Sequence, residues 1–157
     1  MEAVHRLDRG ASGVVLFART SKALERCQEQ VRKKEWEKTY LALVEGLIEK
    51  DEGMFEDFLL HDNHRASVDE QGKLSTLFFK VLRRDPQSTL IEIKLVTGRY
   101  HQIRVQFASR GHPIFGDEKY GSKKFFDGIA LHHAQLIAMH PVTREKICFK
   151  SAASFAF

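Results

Sequence analysis

Residues 74–96, LSTLFFKVLRRDPQSTLIEIKLV, contain two β-patterned segments on either side of a turn. Segments 74–82 and 89–96 are rich in aliphatic, aromatic and β-branched residues, and the second partly alternates apolar with polar side chains. Asp85 and Pro86 between them are typical of a turn. The pattern predicts two neighbouring antiparallel strands, around which the remaining elements are arranged.

Upstream of this pair the chain alternates between strand and helix patterns. Residues 13–18 form a short apolar run that predicts a buried strand. Thr20 or Ser21 can then cap a helix with helical spacing of its apolar side chains. Those side chains are Leu24, Cys27 and Val31. Residues 39–44 predict another strand, and the acidic stretch 49–57 predicts a loop or hairpin.

Downstream of the pair the pattern predicts one short helix and two more strands. Residues 103–108 suit the helix, and residues 112–121, rich in Gly and polar side chains, suit a loop. The last two strands are predicted at 129–139 and 146–155, around a turn at Pro141. The whole pattern predicts one α+β domain with a mixed, mainly antiparallel sheet and flanking helices.

Composition limits the class of protein. A chain of 157 residues with 43% hydrophobic and 29% charged residues is typical of a single globular domain. The longest apolar run is too short for a membrane span, and no secretory signal pattern is present. Cys27 and Cys148 lack metal-site or redox spacing, so we expect a cytoplasmic protein. The net charge of +4 is compatible with a nucleic-acid partner but does not establish one.

Three polar segments interrupt the core pattern, at 5–13, 97–104 and 116–121. In the first, Asp8 stands close to two arginines and before a Gly-Ala-Ser-Gly turn. An aspartate so placed can be a carboxylate nucleophile whose low pKa is maintained by an arginine. Spacing alone favours a surface ion pair or a turn-capping aspartate, because aspartate caps turns so often.

The histidines raise the question of a metal site. His132, His133 and His140 lie close together, but they do not form the His-Glu-x-x-His pattern. Neighbouring residues of a strand also point to opposite faces, which separates the first two. We therefore expect no metal, although a metal-dependent hydrolase remains an alternative that a chelator would test.

Four motifs together resemble the RluA-type pseudouridine synthases. They are HRLDRGASGVVLFA from residue 5, KTYLALVEG from residue 38, LVTGRYHQIRVQFASRGHPIFGDEKYG from residue 95 and LHHAQLIAMHP from residue 131. They occur in the family's order over nearly the whole chain. The resemblance implies a cofactor-free enzyme that isomerises uridine to pseudouridine in rRNA or tRNA.

The resemblance also implies roles for individual residues. Asp8 matches the catalytic aspartate, Arg104 its arginine partner, and Tyr40 the tyrosine that stacks on the target base. Arg6 matches the side chain that fills the space left by the flipped nucleotide, and Tyr40 is also a candidate for removing the C5 proton. Ile103 is expected to be an apolar wall of the uracil pocket or ordinary helix core.

Structured RNA is the partner that the resemblance implies. Arg99 and His101 are expected to contact RNA, and the basic segments around Lys33 and Arg99 are expected to hold phosphates. Neither a metal nor a membrane partner is expected. We expect a monomer, with a dimer along an open sheet edge as the alternative.

This sequence departs from the family pattern at several points. Ala11 stands where the family commonly has Thr, and Gln106 where it commonly has His. The β-rich segment that precedes HRLD in the family is missing, and so is an S4-like domain. We therefore expect residues 1–157 to be one catalytic domain truncated at its N-terminus. A catalytically inactive RNA-binding module or RNA chaperone is the alternative function.

Overall fold

The computed structural model describes residues 1–156, which form ten strands and two α-helices. The strands are β1 (Glu2–Ala3), β2 (Ser12–Gly13), β3 (Phe17–Ala18), β4 (Glu37–Glu45), β5 (Glu52–Asp62), β6 (Arg65–Val68), β7 (Lys73–Asp85), β8 (Ser88–Leu95), β9 (Leu131–Met139) and β10 (Lys146–Lys150). The helices are α1 (Ser21–Arg32) and α2 (Gln102–Ala108), and Glu118–Tyr120 is a 3-10 turn. Within residues 1–156, no helix is long and apolar enough to cross a bilayer.

Eight strands form one mixed sheet in the order β10–β9–β4–β8–β7–β5–β6, with β2 added beside β9. The pairs along this order are antiparallel, whereas β2 runs parallel to β9 with Ser12 opposite His132. Strands β1 and β3 make a separate two-stranded ribbon. The predicted α+β class with a mixed, mainly antiparallel sheet is confirmed, as is the central antiparallel pair, β7 and β8.

The main hydrophobic core lies between the central strands and α2. Ile91 and Ile93 of β8 and Leu77 of β7 are fully buried in it, together with Phe107 of α2. Burial of each such side chain contributes about 1.5–3 kcal/mol relative to exposure. This packing fixes α2 on the sheet, and with it the turn that precedes the helix.

Helix α1 begins where the sequence predicts. The Thr20 hydroxyl accepts a hydrogen bond from the Ala23 amide at 3.1 Å, as an N-cap does. Cys27 is buried as expected, but Val31 is 37% exposed and Gln30 is buried instead. The Gln30 side-chain oxygen accepts a hydrogen bond from the Trp36 indole at 3.0 Å, so a satisfied amide takes the place expected of an apolar side chain.

Residues 13–18 are not one buried strand. They form parts of β2 and β3, and Phe17 is 52% exposed. Gly13 has a φ of +117°, and a Cβ there would lie 2.3 Å from the His133 carbonyl oxygen, so the chain approaches β9 too closely for another residue. The Val14 amide donates to that same oxygen, whereas the Leu16 carbonyl accepts from Val4, so the segment changes partner halfway.

The acidic stretch 49–57 is likewise not a loop over most of its length. From Glu52 it belongs to β5, which pairs along β7. Exposed and half-buried residues alternate over residues 52–58. Glu52 and Glu56 lie on the exposed face, whereas Asp57 is half-buried and paired with Arg110. The last predicted strand is shorter than expected, because β10 ends at Lys150.

Candidate active site

A cleft of about 780 Å³ opens between the N-terminal segment and the turn that leads into α2. Sequence-predicted site residues that line it are Arg6, Asp8, Tyr40, Arg99, His101 and Ile103. Arg104, the remaining candidate, is buried at the first turn of α2 and reaches the cleft through its contact with Asp8. The fold therefore brings segments that are about 100 residues apart in sequence to one cavity.

Asp8 lies in the tight turn before β2. Its carbonyl oxygen accepts a hydrogen bond from the Ala11 amide at 3.0 Å, which closes the turn. The carboxylate is 29% exposed, and its Oδ2 atom lies 3.7 Å from Nη1 of Arg104. The structure thus places the two expected partners in contact, with the carboxylate still open to the cleft.

Arg104 makes its strongest contacts with a residue that the sequence analysis did not select. Its Nε and Nη2 atoms each donate to one carboxylate oxygen of Asp117, both at 2.8 Å. Asp117 is 1% exposed, so this is a buried bidentate ion pair. Nη1 then points to His101 Nε2 at 3.0 Å and to Asp8. Asp117 therefore holds the guanidinium in place, and the Nη1 atom of the guanidinium faces Asp8.

His101 connects this ion pair to Tyr120. A guanidinium nitrogen can only donate, so Nε2 of His101 accepts and the neutral ring carries its proton on Nδ1. That nitrogen lies 2.6 Å from the Tyr120 hydroxyl, which also accepts a hydrogen bond from the Ala66 amide at 2.9 Å. Burial, assisted by the charge of Arg104, lowers the pKa of His101 to about 4, which keeps the ring neutral at pH 7. His101 therefore links Arg104 to Tyr120 by hydrogen bonds and also lines the cleft.

Sequence order gives only a weak signal for Asp117 and Tyr120. Both belong to the polar segment 116–121, one of the three that interrupt the core pattern, but the sequence assigns neither of them a role. Their contacts with Arg104 and His101 depend on how the loop after α2 folds back. The spacing of these residues in the sequence does not show that the loop folds back towards Arg104 and His101.

The pKa of Asp8 differs from the sequence expectation. Burial raises the pKa of this carboxyl above its ordinary value; Arg104 opposes the rise, and the negative charge of Asp117 adds to it. The expected low pKa is therefore wrong. The physical reason is burial of the carboxyl, which Arg104 offsets only in part, since its two short hydrogen bonds go to Asp117 and its contact with Asp8 is 3.7 Å.

Tyr40 forms part of the cleft wall on β4. Its ring stacks on His133, with centroids 4.6 Å apart and planes 15° from parallel. Nδ1 of His133 donates to the Val14 carbonyl at 2.8 Å, which fixes that ring behind Tyr40. Burial, followed by the charge of Asp8, raises the pKa of Tyr40, so its hydroxyl stays protonated. Tyr40 therefore presents a rigid, neutral aromatic surface near the carboxylate.

The other predicted residues occupy different depths of the cleft. Arg6 is exposed, and Arg99 is half-buried with its Nε donating to the Leu74 carbonyl at 3.2 Å. Ile103 is 5% exposed and packs in the main core while also lining the cleft, so both of its expected roles apply. Lys38, which the sequence analysis did not select, lines the cleft beside them.

Gln102 holds the turn before α2. Its side-chain oxygen accepts from the Thr97 hydroxyl at 2.7 Å and from the Arg99 amide at 3.0 Å. Its side-chain nitrogen donates to the Thr76 carbonyl at 3.1 Å. These buried bonds fix the backbone that carries Arg99 and His101, the latter with a φ of +51°.

The departures from the family pattern have local structural solutions. Ala11 packs against the main core, and its amide closes the Asp8 turn without a side-chain hydroxyl. The Gln106 side-chain nitrogen donates to Asp57 at 2.9 Å, but its Oε1 atom is buried without a hydrogen-bond partner. Both substitutions are accommodated, the second at the cost of one unsatisfied acceptor.

The clustered histidines make hydrogen bonds within the protein, although Nε2 of His133 is buried without a partner. His132 lies 2.7 Å from the Ser12 hydroxyl and 3.0 Å from the Ser151 carbonyl, and His133 bonds to Val14. Across residues 1–156, no three His, Cys, Asp or Glu side chains converge as metal ligands would. The ring nitrogens of His132 and His133 that make these bonds are thus already engaged within the protein.

Comparisons with known proteins identify the family of this chain. Residues 1–109 match the family model described as RNA pseudouridylate synthase. The ribosomal large subunit pseudouridine synthase C of Vibrio vulnificus is 37% identical over 155 residues, covering 92% of this chain and 49% of that protein. Its namesake in Escherichia coli is 38% identical over 160 residues, with coverages of 92% and 50%. An uncharacterized RNA pseudouridine synthase of Bacillus subtilis, YhcT, is 37% identical over 150 residues, with coverages of 92% and 50%.

This chain spans about half the length of the curated relatives it matches. Two solved human structures share its fold. Human RNA pseudouridylate synthase domain containing 1 superimposes with a TM-score of 0.86 at 24% identity, covering 99% of this chain and 70% of that one. Human RNA pseudouridylate synthase domain containing 4 gives a TM-score of 0.82 at 20% identity, with coverages of 98% and 72%. Both matches identify the fold.

Proposed function

This chain belongs to the RNA pseudouridylate synthase family, and on that premise we propose that it isomerises uridine to pseudouridine in RNA, with Asp8 as the catalytic carboxylate. One observation carries the proposal. The Asp8 carboxylate is open to a cleft large enough for a nucleotide, and it contacts an arginine that a buried ion pair fixes from behind.

The reaction needs no external oxidant, reductant or energy source. The bond from N1 of uracil to C1′ breaks, the base turns within the site, and a bond from C5 to C1′ forms. C5 loses its proton and N1 gains one, so substrate and product have the same composition. Asp8 would act on C1′ or C6 as a nucleophile or base, and the positive edge of Arg104 would orient it.

The uridine must leave the RNA stack before Asp8 can reach it. Extrusion of a base costs a few kcal/mol, which new stacking in the protein can offset. Tyr40 would provide that surface, since His133 supports one face of its ring and the ring lines the cleft. Arg6, which is exposed at the rim, would fill the space left in the RNA, and Ile103 would close the uracil pocket.

Tyr40 is also our candidate for the group that removes the C5 proton. Because burial and the charge of Asp8 raise its pKa, the phenol cannot act as a preformed phenolate. It can accept the C5 proton only if its own proton moves on, and Asp8, whose pKa is raised as well, is the acceptor we propose.

Ribosomal RNA is the substrate we propose, with transfer RNA as the alternative. The supporting observation is that relatives over 92% of this chain are named for the large ribosomal subunit. Arg99 would contact the RNA within the cleft. Lys33 lies outside it, paired with Glu29 at 3.0 Å, and would add only a surface contact. We further propose that the chain acts as a single catalytic domain in the cytoplasm.

Tritium release tests the proposal. In vitro transcribed large-subunit ribosomal RNA that carries 5-tritiated uridine would be incubated with the unsubstituted chain, with Asp8→Asn and with Asp127→Asn. Asp127 is an exposed carboxylate outside the cleft, which makes it a matched control. We expect release from the unsubstituted chain and the control, and none from Asp8→Asn.

Two results would count against the proposal. Release that persists in Asp8→Asn would remove Asp8 from the chemistry. Binding of the transcript without release by the folded, unsubstituted chain would favour an RNA-binding module over an enzyme for this RNA. The same assay with transfer RNA transcripts separates the two substrate classes.

A further inference from the structure

Lys38 shares a strand face and a cavity with Tyr40. Both residues lie on β4, two positions apart, so their side chains leave the same face of the sheet. Both line the cleft that holds Asp8. Lys38 is half-buried, whereas Arg6 and Arg9, also lining the cleft, are exposed.

The Lys38 ammonium has no anionic partner within residues 1–156. No carboxylate lies within ion-pair distance of it, and no acceptor forms a hydrogen bond with Nζ. The titratable groups that it influences are His5 and His133, and its positive charge lowers the pKa of each ring. Burial in turn lowers the pKa of Lys38 itself. Its surroundings in the free protein therefore do not balance its charge.

Two arginines of this protein, by contrast, have carboxylate partners, and the half-buried Arg99 donates to the Leu74 carbonyl. Arg104 has Asp117, and Arg110 has Asp57, with a closest distance of 2.7 Å between charged atoms. A half-buried ammonium without such a partner costs free energy, and an anion supplied by a ligand would recover that cost.

The backbone also leaves room for this ammonium. A Cβ at position 98 would lie 2.8 Å from Nζ of Lys38, so a glycine there lets the ammonium lie against the turn before α2. Arg99, the next residue, lines the same cleft. Lys38 and Arg99 thus place two cations where the strand and the turn meet.

We propose that Lys38 binds a backbone phosphate of the RNA, that of the nucleotide held over Tyr40 or of its immediate neighbour. The inference rests on the proposed function for the identity of the anion. A compact ammonium suits a phosphate oxygen as a point charge. Lys38 would thereby fix the strand while Tyr40 receives the base.

The test is the salt dependence of RNA binding. Lys38→Met keeps the unbranched stem and removes the charge, and Lys38→Arg keeps the charge. Lys94→Met is the matched control, because Lys94 is exposed one strand away and leaves the opposite face of the sheet. Binding of unmodified large-subunit ribosomal RNA transcripts would be measured by filter retention over a range of salt concentrations.

We expect the slope of log affinity against log salt to fall by about 0.7 to 1 in Lys38→Met, as for the loss of one phosphate contact. Affinity at low salt should fall about ten-fold, the usual loss for a hydrogen bond to a charged group. Lys38→Arg should keep most of the slope, and Lys94→Met all of it. An unchanged slope in a folded Lys38→Met, or no salt-dependent binding by the unsubstituted chain, would overturn the proposal.

A second measurement avoids substitution altogether. In a chain labelled with ¹³C at lysine Cε, the Lys38 signal should titrate below the ordinary lysine value and shift to a higher pKa when the transcript binds. An unshifted Lys38 pKa in the complex would contradict the phosphate contact. Because both readouts concern binding, they stand apart from tritium release, so a chain that binds RNA without isomerising it would still test Lys38.

Discussion

The two sides of the cleft are built differently. On one side Arg104 is enclosed by Asp117 and His101, through side-chain hydrogen bonds of 2.8–3.0 Å within the buried part of the protein. On the other side Asp8 belongs to a turn closed by one backbone hydrogen bond, and exposed arginines lie close to it in the sequence. The cation is therefore held by buried side chains, whereas the turn that carries the carboxylate is held by backbone hydrogen bonds.

This difference indicates separate roles for the two charged groups, Arg104 and Asp8. A buried, bidentate arginine keeps its position whatever Asp8 does, so it can orient the carboxylate without depending on it. Asp8 remains open to the cleft, where a base or a ribose carbon would lie in the proposed reaction. Burial raises the pKa of Asp8, and Arg104, whose short hydrogen bonds go to Asp117, opposes that rise only in part.

Tyr40→Phe should give the largest effect among changes beside the carboxylate. The variant keeps the aromatic surface over His133 but loses the hydroxyl of the proposed proton relay. Tritium release should fall by about 10²–10⁴-fold, the usual contribution of a general acid–base group. RNA affinity measured by filter retention should stay unchanged, whereas Tyr40→Ala should lose affinity as well. Release at the unsubstituted rate by Tyr40→Phe would remove the hydroxyl from the chemistry.

Asp117→Asn should destabilise the side of the cleft that holds Arg104. It leaves the Arg104 charge buried without its bidentate partner, which should cost about 3 kcal/mol and lower the melting temperature by roughly 10 °C. Asp57→Asn, which breaks the more exposed pair with Arg110, is the matched control and should cost about 1 kcal/mol or less.

A second readout separates positioning from mere stability. The charge of Asp117 raises the pKa of Asp8, so its removal should lower that pKa. The acid limb of tritium release should therefore move to lower pH in Asp117→Asn, measured at a temperature where the variant is folded. An unmoved limb would mean that Asp117 supports the fold without tuning Asp8.

Tyr120→Phe should produce a smaller effect on the same side. The hydrogen on Nδ1 of His101 and the amide of Ala66 would lose their shared acceptor, at a cost of about 1–3 kcal/mol in unfolding free energy. Tyr100→Phe is the comparison, because its ring is 36% exposed and stability should change by about 0.5 kcal/mol or less. Equal denaturant midpoints for the two variants would argue against the network.

The pH profile of the unsubstituted chain should show the smallest but most specific effect. Because the role we propose for Asp8 requires its ionised form and its pKa is raised above 3.8, activity should be lost on acidification at a pH above that value. Tritium release measured across the acid range locates the midpoint. A midpoint at or below 3.8 would mean that Asp8 is not the titrating group or is not buried as described.

The sequence predicts more of the fold than of the site's internal contacts. Apolar runs and alternating apolar and polar residues predict the central strands, and the helical spacing of apolar residues predicts α1. These patterns succeed because they are local in the sequence. They failed at residues 13–18 and 49–57, where two short pairings replace one strand and where acidic residues occupy the exposed face of β5. In both places the partner strand, which the local pattern does not contain, determines the structure.

The site follows the same rule. Motif resemblance selects residues such as Asp8, Tyr40 and Arg104, and the fold gathers them around one cleft. It does not show that Asp117 takes the short hydrogen bonds of Arg104, nor that burial raises the pKa of Asp8. Those facts depend on distances between segments that are far apart in sequence.

The most direct test of the account is to measure tritium release and thermal unfolding of Asp8→Asn in one preparation at neutral pH. A carboxyl whose pKa is raised on folding stabilises the protein while it is protonated, and that stability is lost as the pH rises through its folded-state pKa. The account therefore predicts that Asp8→Asn releases no tritium and unfolds at the same or a higher temperature than the unsubstituted chain. Retained release, or a lower unfolding temperature, would contradict a carboxylate placed there for chemistry.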